Sequence, residues 1–305
     1  MKTILISGAT GFIGSHITRE LLRRDFKVYA TCRKSSDFKL SGDFFEDVEW
    51  VDLQSERWYE RLSGKKIDIL IHSAWSGITY SDRDNWEIQL QNFELSKRLF
   101  GGAIHLEAEK IISFGSQAEY GTYDRLVSED WVPTPIDAYG AVKLLTMHYL
   151  QILAKQRNTD WYWLRVFSIF GPGERETSLV PYVLRTVCSG NRVRLTEGNQ
   201  EYDYVYIDDF VHNFMKVVTK TGADSGVYNI CSGRSWTIKR FILELTSNIQ
   251  GSDALLDFGA IPHRAEQRMF VAGDNRKFTS VFGNFESQDR NISAANVISY
   301  YEKAQ

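Results

Sequence analysis

Residues 3–14 read TILISGATGFIG, an apolar run that breaks into three glycines spaced three apart. The run before Gly8 is typical of a buried parallel strand, and apolar residues recur every four positions from Ile13 to Leu21, as on one face of a helix. A helix start offers unpaired N–H groups and a partial positive charge, so a turn without side chains lets a pyrophosphate approach it. The alternative is a tight turn that holds no ligand. The residues predicted to bind a dinucleotide here are Gly8, Gly11, Phe12, Ile13 and Gly14.

The composition is that of an ordinary globular protein, with 305 residues, 43% of them hydrophobic, and a formal net charge of −3. The three cysteines and six histidines are scattered without ligand spacing, so we predict neither a disulfide framework nor a metal site. No run approaches the ~18 apolar residues that span a bilayer, and no basic block favours nucleic acid. We therefore expect a cytoplasmic protein that binds neither membrane nor nucleic acid.

Strand-like and helix-like segments alternate from residue 3 to about residue 171. This alternation predicts right-handed βαβ crossovers and an α/β fold with a doubly wound, parallel, Rossmann-type sheet. After residue 173 the elements become shorter, which indicates a smaller and discontinuous C-terminal lobe that binds substrate. The predicted boundaries are 1–171 plus 202–232 for the dinucleotide-binding domain, and 172–201 plus 233–305 for the substrate-binding lobe.

The choice of cofactor is predicted from the end of the second strand, residues 27–32. In dinucleotide-binding folds an acidic residue at this point bonds the ribose hydroxyls, whereas a basic residue accommodates a 2′-phosphate. Arg33 and Lys34 follow the strand, and no carboxylate lies between residues 27 and 36. The planar guanidinium of Arg33 matches phosphate, so we predict a preference for NADP(H), with NAD(H) as the alternative cofactor. The other reading is a pair of solvated loop cations.

Further positions complete the predicted cofactor site. Asp52 and Leu53 end the third predicted strand, at the edge where open α/β sheets bind ligands. Ala74 lies near the end of the fourth predicted strand, residues 67–75, and is small enough for a cofactor ring to lie close. Asn92 lies on the predicted helix of residues 85–100, on the face of its apolar residues.

Tyr139 and Lys143 are four positions apart on a helix that Asp137 is predicted to cap, so both side chains project from one face. A free tyrosine, with a pKa near about 10, is a poor base, and a nearby cation lowers that pKa. Tyr139 would then exchange a proton with the substrate while a nicotinamide transfers hydride. Lys143 would also bond the cofactor ribose, and Ser116 would orient the reacting oxygen. The alternative is an amphipathic helix with a buried ring.

Four motifs follow one another along the chain in an order and spacing that chance rarely produces. They are the glycine turn, Ser116 ahead of Tyr120-Gly121, the Tyr139 and Lys143 pair, and Gly171-Pro172-Gly173. Together they resemble the extended short-chain dehydrogenase/reductases, and more narrowly the nucleotide-sugar epimerases, dehydratases and reductases. The resemblance covers nearly the whole chain. It implies that Ser116, Tyr139 and Lys143 are the catalytic residues.

The same resemblance implies an adenine contact at Asp52 and a homodimer formed by the helices that contain Asn92 and Tyr139. It also implies a set of substrate contacts, in which hydroxyls at Ser168 and Ser178 replace the amides usual in the family. The arginine that usually binds the diphosphate in this family is replaced here by Tyr202. Arg264 and Arg268, with Arg194, would bind the diphosphate instead, unless they are solvated surface charges. The predicted substrate-binding residues are Ser116, Gln117, Ser168, Ser178, Leu179, Arg194, Tyr202, Arg264 and Arg268.

The residues after Ser116 predict the type of reaction. A dehydratase needs an additional acid and base beside the catalytic hydroxyl, and relatives that dehydrate carry acidic residues at one or both of the next two positions. Here these positions are Gln117 and Ala118, and Glu119 in a strand-like continuation would point to the opposite side from Ala118. The prediction is therefore NADPH-dependent reduction of a nucleotide-linked 4-keto-6-deoxyhexose. The alternatives are an NAD(P)-dependent nucleotide-sugar epimerase and, more remotely, a non-catalytic NAD(P)-binding regulator.

Overall fold

A computed structural model describes residues 2–32, 46–264, 266–288 and 290–303. Two compact units contain them. The first unit takes its described residues from Met1–Gly121, Asp130–Val166 and Met215–Tyr228, and the second from Thr122–Glu129, Phe167–Phe214 and Asn229–Gln305.

The secondary structure alternates between strands and helices through the first unit. The strands are β1 (Thr3–Ser7), β2 (Lys27–Cys32), β3 (Glu49–Asp52), β4 (Ile69–His72), β5 (Lys110–Ser116), β6 (Asp160–Val166), β7 (Ser168–Phe170), β8 (Val193–Leu195), β9 (Glu201–Tyr202), β10 (Tyr204–Tyr206), β11 (Gly226–Ile230), β12 (Trp236–Thr237), β13 (Leu256–Phe258) and β14 (Phe270–Val271). The α-helices are α1 (Phe12–Arg23), α2 (Trp86–His105), α3 (Ala138–Arg157), α4 (Leu179–Cys188), α5 (Ile207–Thr219), α6 (Ile238–Thr246), α7 (Arg276–Phe282) and α8 (Arg290–Lys303). Short 3₁₀ helices span Trp58–Leu62, Gln117–Tyr120 and Ser252–Leu255.

A seven-stranded sheet has the order β11-β6-β5-β4-β1-β2-β3. The neighbouring pairs from β6 to β3 are all parallel. The chain builds outward in one direction from β1 to β3 and in the other from β4 to β6, so the order reverses between β1 and β4. The predicted doubly wound parallel sheet is confirmed, and this reversal is where open α/β sheets bind ligands beyond the carboxyl ends of their strands.

The central strands read as continuous apolar runs because helices cover both faces of such a sheet. Ile4, Leu5 and Ile6 of β1 are all fully buried, as are three consecutive residues of β4. The core includes Leu5, Leu70 and Ile111 from the sheet together with apolar side chains of α2 and α3. This packing holds β1, β4 and β5 against α2 and α3.

The second unit contains small sheets of its own. Strand β10 pairs with β7 in parallel, β9 lies between β12 and β14, and β13 pairs with β8. Because β10 pairs with β7 and not with the seven-stranded sheet, residues 167–171 and 202–214 cluster with the second unit, although both are predicted in the dinucleotide-binding domain. Residues 122–129 and 229–232 differ from the prediction in the same way. The division into a cofactor domain and a substrate lobe stays a prediction.

None of the helices that the structure describes is long and apolar enough to cross a membrane. Within the same residues, histidine, cysteine and carboxylate side chains form no group suited to holding a metal ion.

Candidate active site

Two of the three glycines in the first turn are required by contacts within the protein. Gly8 has a φ of +75°, and a Cβ there would lie 2.6 Å from the backbone nitrogen of Ala74. A Cβ on Gly14 would overlap the carbonyl oxygen of Gly8. Both glycines therefore allow the turn to pack closely against the end of β4 and the start of α1.

Gly11 differs, because a Cβ there would meet only the carbonyl oxygen of Gly8, at 3.4 Å. Gly11 is the N-cap of α1, where the structure shows no side-chain cap and no acidic residue in the first turn. Phe12 and Ile13, which begin the helix, are half-buried. A helix start that presents its N–H groups without a covering side chain fits the pyrophosphate of a nicotinamide dinucleotide.

Alanine substitutions at Gly14 and Gly11 are expected to distinguish the role in backbone packing from the role in cofactor binding. Gly14→Ala forces backbone apart and should lower the free energy of unfolding by about 1–3 kcal/mol. Gly11→Ala should keep that stability and weaken NADPH binding at least about tenfold, because it adds a methyl group at the helix start where the pyrophosphate is predicted to bind. Urea unfolding and a fluorescence titration with NADPH measure the two effects. Unchanged NADPH affinity in a folded Gly11→Ala protein would contradict the assignment.

The three predicted catalytic residues lie in the first unit. Ser116 ends β5 and is nearly buried, Tyr139 is half-buried in the first turn of α3, and Lys143 is buried one turn later. Asp137 caps α3 by accepting the N–H of Gly140 at 2.7 Å, as predicted. The hydroxyls of Ser116 and Tyr139 interact, and the Lys143 Nζ lies 5.8 Å from the centroid of the Tyr139 ring. The structure thus brings these three side chains together.

The protonation of this cluster differs from the sequence expectation. Burial raises the pKa of Tyr139 and outweighs the opposing effects of Arg83 and of the hydrogen bond with Ser116. Burial also lowers the pKa of Lys143 to about 7. The Lys143 Nζ donates to the carbonyl oxygen of Phe114 at 2.6 Å and lies 3.5 Å from the centroid of the Trp75 ring. Tyr139 is therefore a phenol that holds its proton at neutral pH.

The loop that follows β4 contacts Tyr139 and Lys143 through Trp75. The ring of Trp75 meets that of Tyr139 edge-on, with centroids 6.1 Å apart, and its indole N–H donates to Gln89 Oε1 at 2.9 Å. Asn92 is buried and holds the loop through Ser76, accepting its N–H at 2.8 Å and donating to its carbonyl oxygen at 3.0 Å. Asn92 thus positions this loop, and its direct contact with a cofactor stays a prediction.

Glu119 occupies the centre of a buried polar network. Its Oε1 accepts the N–H of Ser116 at 2.8 Å and the indole N–H of Trp163 at 2.9 Å, and its Oε2 accepts from Arg165 Nε at 2.8 Å. The predicted strand-like continuation after Ser116 is wrong, because Ser116 and Glu119 form a capping box that starts a 3₁₀ helix. The carboxylate is fully buried, and both of its oxygens accept hydrogen bonds within the protein.

The remaining cofactor positions lie at the carboxyl edge of the sheet or outside the described residues. Asp52 ends β3, and its Oδ1 accepts the N–H of Gln54 at 2.9 Å, while Leu53 beside it is buried. Ala74 is half-buried two residues after β4. Arg33 and Lys34 lie outside the described residues.

Most of the predicted substrate residues lie in the second unit. The Tyr202 hydroxyl donates to the carbonyl oxygen of Arg268 at 2.9 Å and accepts from Gln267 Nε2 at 2.8 Å, so the structure brings Tyr202 and Arg268 together. Arg194 is exposed in β8 and donates to the carbonyl oxygen of Ala260 at 2.9 Å. The others are Ser168 in β7, Ser178 at the N-cap of α4, Leu179 in its first turn and the exposed Arg264.

Gln117, which together with Ser116 is a predicted substrate residue of the first unit, is half-buried in the 3₁₀ helix after Ser116. In the second unit the Glu174 carboxyl bonds the Ser178 hydroxyl, and burial raises its pKa to about 7. Glu174, Trp75 and Arg83 are not predicted from the sequence. Only Trp75 had a sequence signal, a large aromatic side chain directly after the two small residues that follow β4.

The family model described as the NAD dependent epimerase/dehydratase family matches residues 4–231. The chain belongs to this family, which confirms the resemblance to the extended short-chain dehydrogenase/reductases, and it is an NAD(P)-dependent enzyme that acts on nucleotide sugars.

The chain is similar both to a protein named as a reductase and to one named as an epimerase. The dTDP-4-dehydro-6-deoxyglucose reductase of Escherichia coli is 27% identical over 78% of this chain and 79% of that protein. The UDP-glucose 4-epimerase of Lactobacillus helveticus is also 27% identical, over 93% of this chain and 91% of its own. A crystal structure of Thermotoga maritima UDP-glucose 4-epimerase with UDP-glucose superposes with a TM-score of 0.86 at 23% identity, covering 99% of both chains. That likeness shows the fold.

Proposed function

We propose that this protein reduces the keto group of a nucleotide-linked 4-keto-6-deoxyhexose with NADPH. The observation that carries the proposal is the network around Glu119, whose carboxylate is bound by Ser116, Trp163 and Arg165. Gln117 and Ala118 bring no acid or base, so these two positions supply none of the additional groups that dehydration needs, which favours a reaction of hydride transfer plus one proton.

The chain's own residues supply the proton and orient the keto oxygen that accepts it. When bound, NADPH would supply the hydride that reaches the keto carbon. The Tyr139 hydroxyl gives its proton to the keto oxygen, which becomes the alcohol, and the raised pKa of Tyr139 keeps that proton available at neutral pH. Ser116 orients the oxygen beside Tyr139, and the turn at Gly11 holds the cofactor diphosphate.

Epimerisation is the second candidate, since it uses the same proton exchange and returns the hydride to the other face of the sugar. The similarity to the Lactobacillus helveticus epimerase supports it. Reduction is favoured by the basic pair after β2 and by the similarity to the Escherichia coli reductase. A screen of nucleotide sugars and their 4-keto-6-deoxy derivatives tests the choice by product mass. Reduction adds two hydrogens, whereas epimerisation leaves the mass unchanged.

Arg33→Ala is expected to weaken NADPH binding by at least about tenfold and to leave NADH binding nearly unchanged, because only NADPH carries the 2′-phosphate. Fluorescence titrations with both cofactors measure this. Arg24→Ala, which removes another arginine of the first unit, serves as the control. Equal affinity of the unmutated protein for NADPH and NADH would overturn the predicted preference.

A homodimer through α2 and α3 is also part of the proposal. Trp86 and Leu90 on α2, and Leu145 and Ile152 on α3, are large apolar side chains that are 44% or more exposed. Leu150 of α3 is fully buried in the core and does not belong to this surface. The exposed apolar side chains on both helices support a contact between copies of the chain.

A further inference from the structure

Arg83 lies against the ring of Tyr139. It belongs to the loop between β4 and α2, and its guanidinium carbon lies 4.5 Å from the centroid of that ring. The Tyr139 N–H donates to the carbonyl oxygen of Arg83 at 2.8 Å, and the N–H of Ala138 donates to Asp84 Oδ1 at 3.2 Å. The loop is therefore tied to the first turn of α3 through both backbone and side chains.

Asp137 fixes the guanidinium in this place. Its Oδ1 caps α3 through the N–H of Gly140, and its Oδ2 accepts from Arg83 Nε at 3.1 Å. Arg83 Nη2 is shielded from solvent and has no hydrogen-bond partner among the residues that the structure describes. A single carboxylate thus sets both the start of the catalytic helix and the position of a cation over the phenol ring.

Lys143 is the cation that the sequence predicts to lower the pKa of Tyr139, but its Nζ contacts other groups. Its Nζ contacts the Phe114 carbonyl oxygen and the Trp75 ring, and its pKa of about 7 leaves it partly neutral at physiological pH. A guanidinium remains charged throughout the pH range in which enzymes work.

We propose that Arg83 is a positioning residue whose guanidinium supplies a permanent positive charge that stabilises the Tyr139 phenolate formed when the proton leaves. The inference rests on the proposed role of Tyr139 as proton donor. The other groups that act on Tyr139 are the carboxylates of Asp137 and Glu119 and the hydroxyl of Ser116, while the Nζ of Lys143 lies 5.8 Å from the centroid of the ring. Burial and both carboxylates raise the pKa of Tyr139, and Arg83 is the charged group that lowers it. Loss of Arg83 therefore makes proton release harder.

The test measures the ionisation of residue 139 directly and needs no substrate. Tyr139 is replaced by 3,5-difluorotyrosine, whose phenol ionises at lower pH and gives its own ¹⁹F signal, and the signal is followed against pH. Arg83→Gln and Arg83→Met should each raise the titration midpoint by about one pH unit, since a nearby cation is lost. Arg83→Lys should retain most of the wild-type midpoint because it restores a charge.

The matched control is Arg57→Gln, which removes an exposed arginine of the first unit and should leave the midpoint unchanged. Circular dichroism identifies the folded variants, and either Arg83→Gln or Arg83→Met suffices. An unchanged midpoint in a folded variant overturns the inference. So does an Arg83→Lys midpoint equal to that of Arg83→Gln. A protein that fails to reduce any keto sugar would still give this titration, so failure of the proposed function is distinguishable.

Discussion

Tyr139→Phe is expected to lower turnover by ~10²–10⁴-fold while leaving the fold and the affinity for NADPH unchanged. The substitution removes one hydroxyl, and that hydroxyl is the proton donor of the proposed reduction. Burial holds the pKa of Tyr139 above its ordinary value, so the unmutated enzyme carries this proton at neutral pH. The ring contacts with Trp75 and Arg83 involve the ring itself and survive in phenylalanine.

Tyr149→Phe provides the matched control. Tyr149 is a half-buried tyrosine of the same helix, α3, and its ring packs edge-on against Phe93 at a centroid distance of 5.7 Å. Its loss of a hydroxyl should leave turnover near normal. Near-normal turnover of Tyr139→Phe, with NADPH bound as tightly as before, would show that the proton comes from another group.

Glu119→Ala is expected to lower the free energy of unfolding by about 3–5 kcal/mol, the usual cost of removing one partner of a buried ion pair. Arg165 is only 2% exposed and would keep an uncompensated charge. The N–H groups of Ser116 and Trp163 would also lose their acceptor. Because the backbone of Ser116 then loses the hydrogen bond that holds it, activity should fall together with stability.

Urea unfolding of two further variants tests the cause. Glu49→Ala breaks the exposed pair with Lys27 and should change stability little. The double variant Glu119→Leu with Arg165→Met should recover much of the loss, because it removes both buried charges. Glu119→Ala protein as stable as the unmutated protein would contradict the assigned role of this network.

Much of the first unit is predictable from its apolar runs. The strand predicted over residues 27–32 matches β2, and the apolar run before Gly8 forms β1, since strands buried on both faces must be apolar throughout. The three catalytic candidates also lie together as expected. Their spacing on α3 and at the end of β5 is a local property that the sequence carries.

The electrostatic surroundings of Tyr139 are less predictable. Arg83 reaches Asp137 across 54 positions of the chain, and its loop has no apolar periodicity to mark it. The pKa of Tyr139 is raised because the side chain is buried. The sequence shows only that Lys143 is near, and from that alone a lowered pKa is expected. The Ser116 and Glu119 capping box has a recognisable spacing, yet the strand before it suggested a continuation of extended backbone.

The stoichiometry of cofactor consumption tests the proposed reduction most directly. Purified protein is mixed with a nucleotide-linked 4-keto-6-deoxyhexose and NADPH, and the oxidised cofactor is compared with the sugar converted. We predict that one NADPH is oxidised for each sugar reduced. Interconversion of two nucleotide sugars without net change in the cofactor would contradict reduction and establish epimerisation.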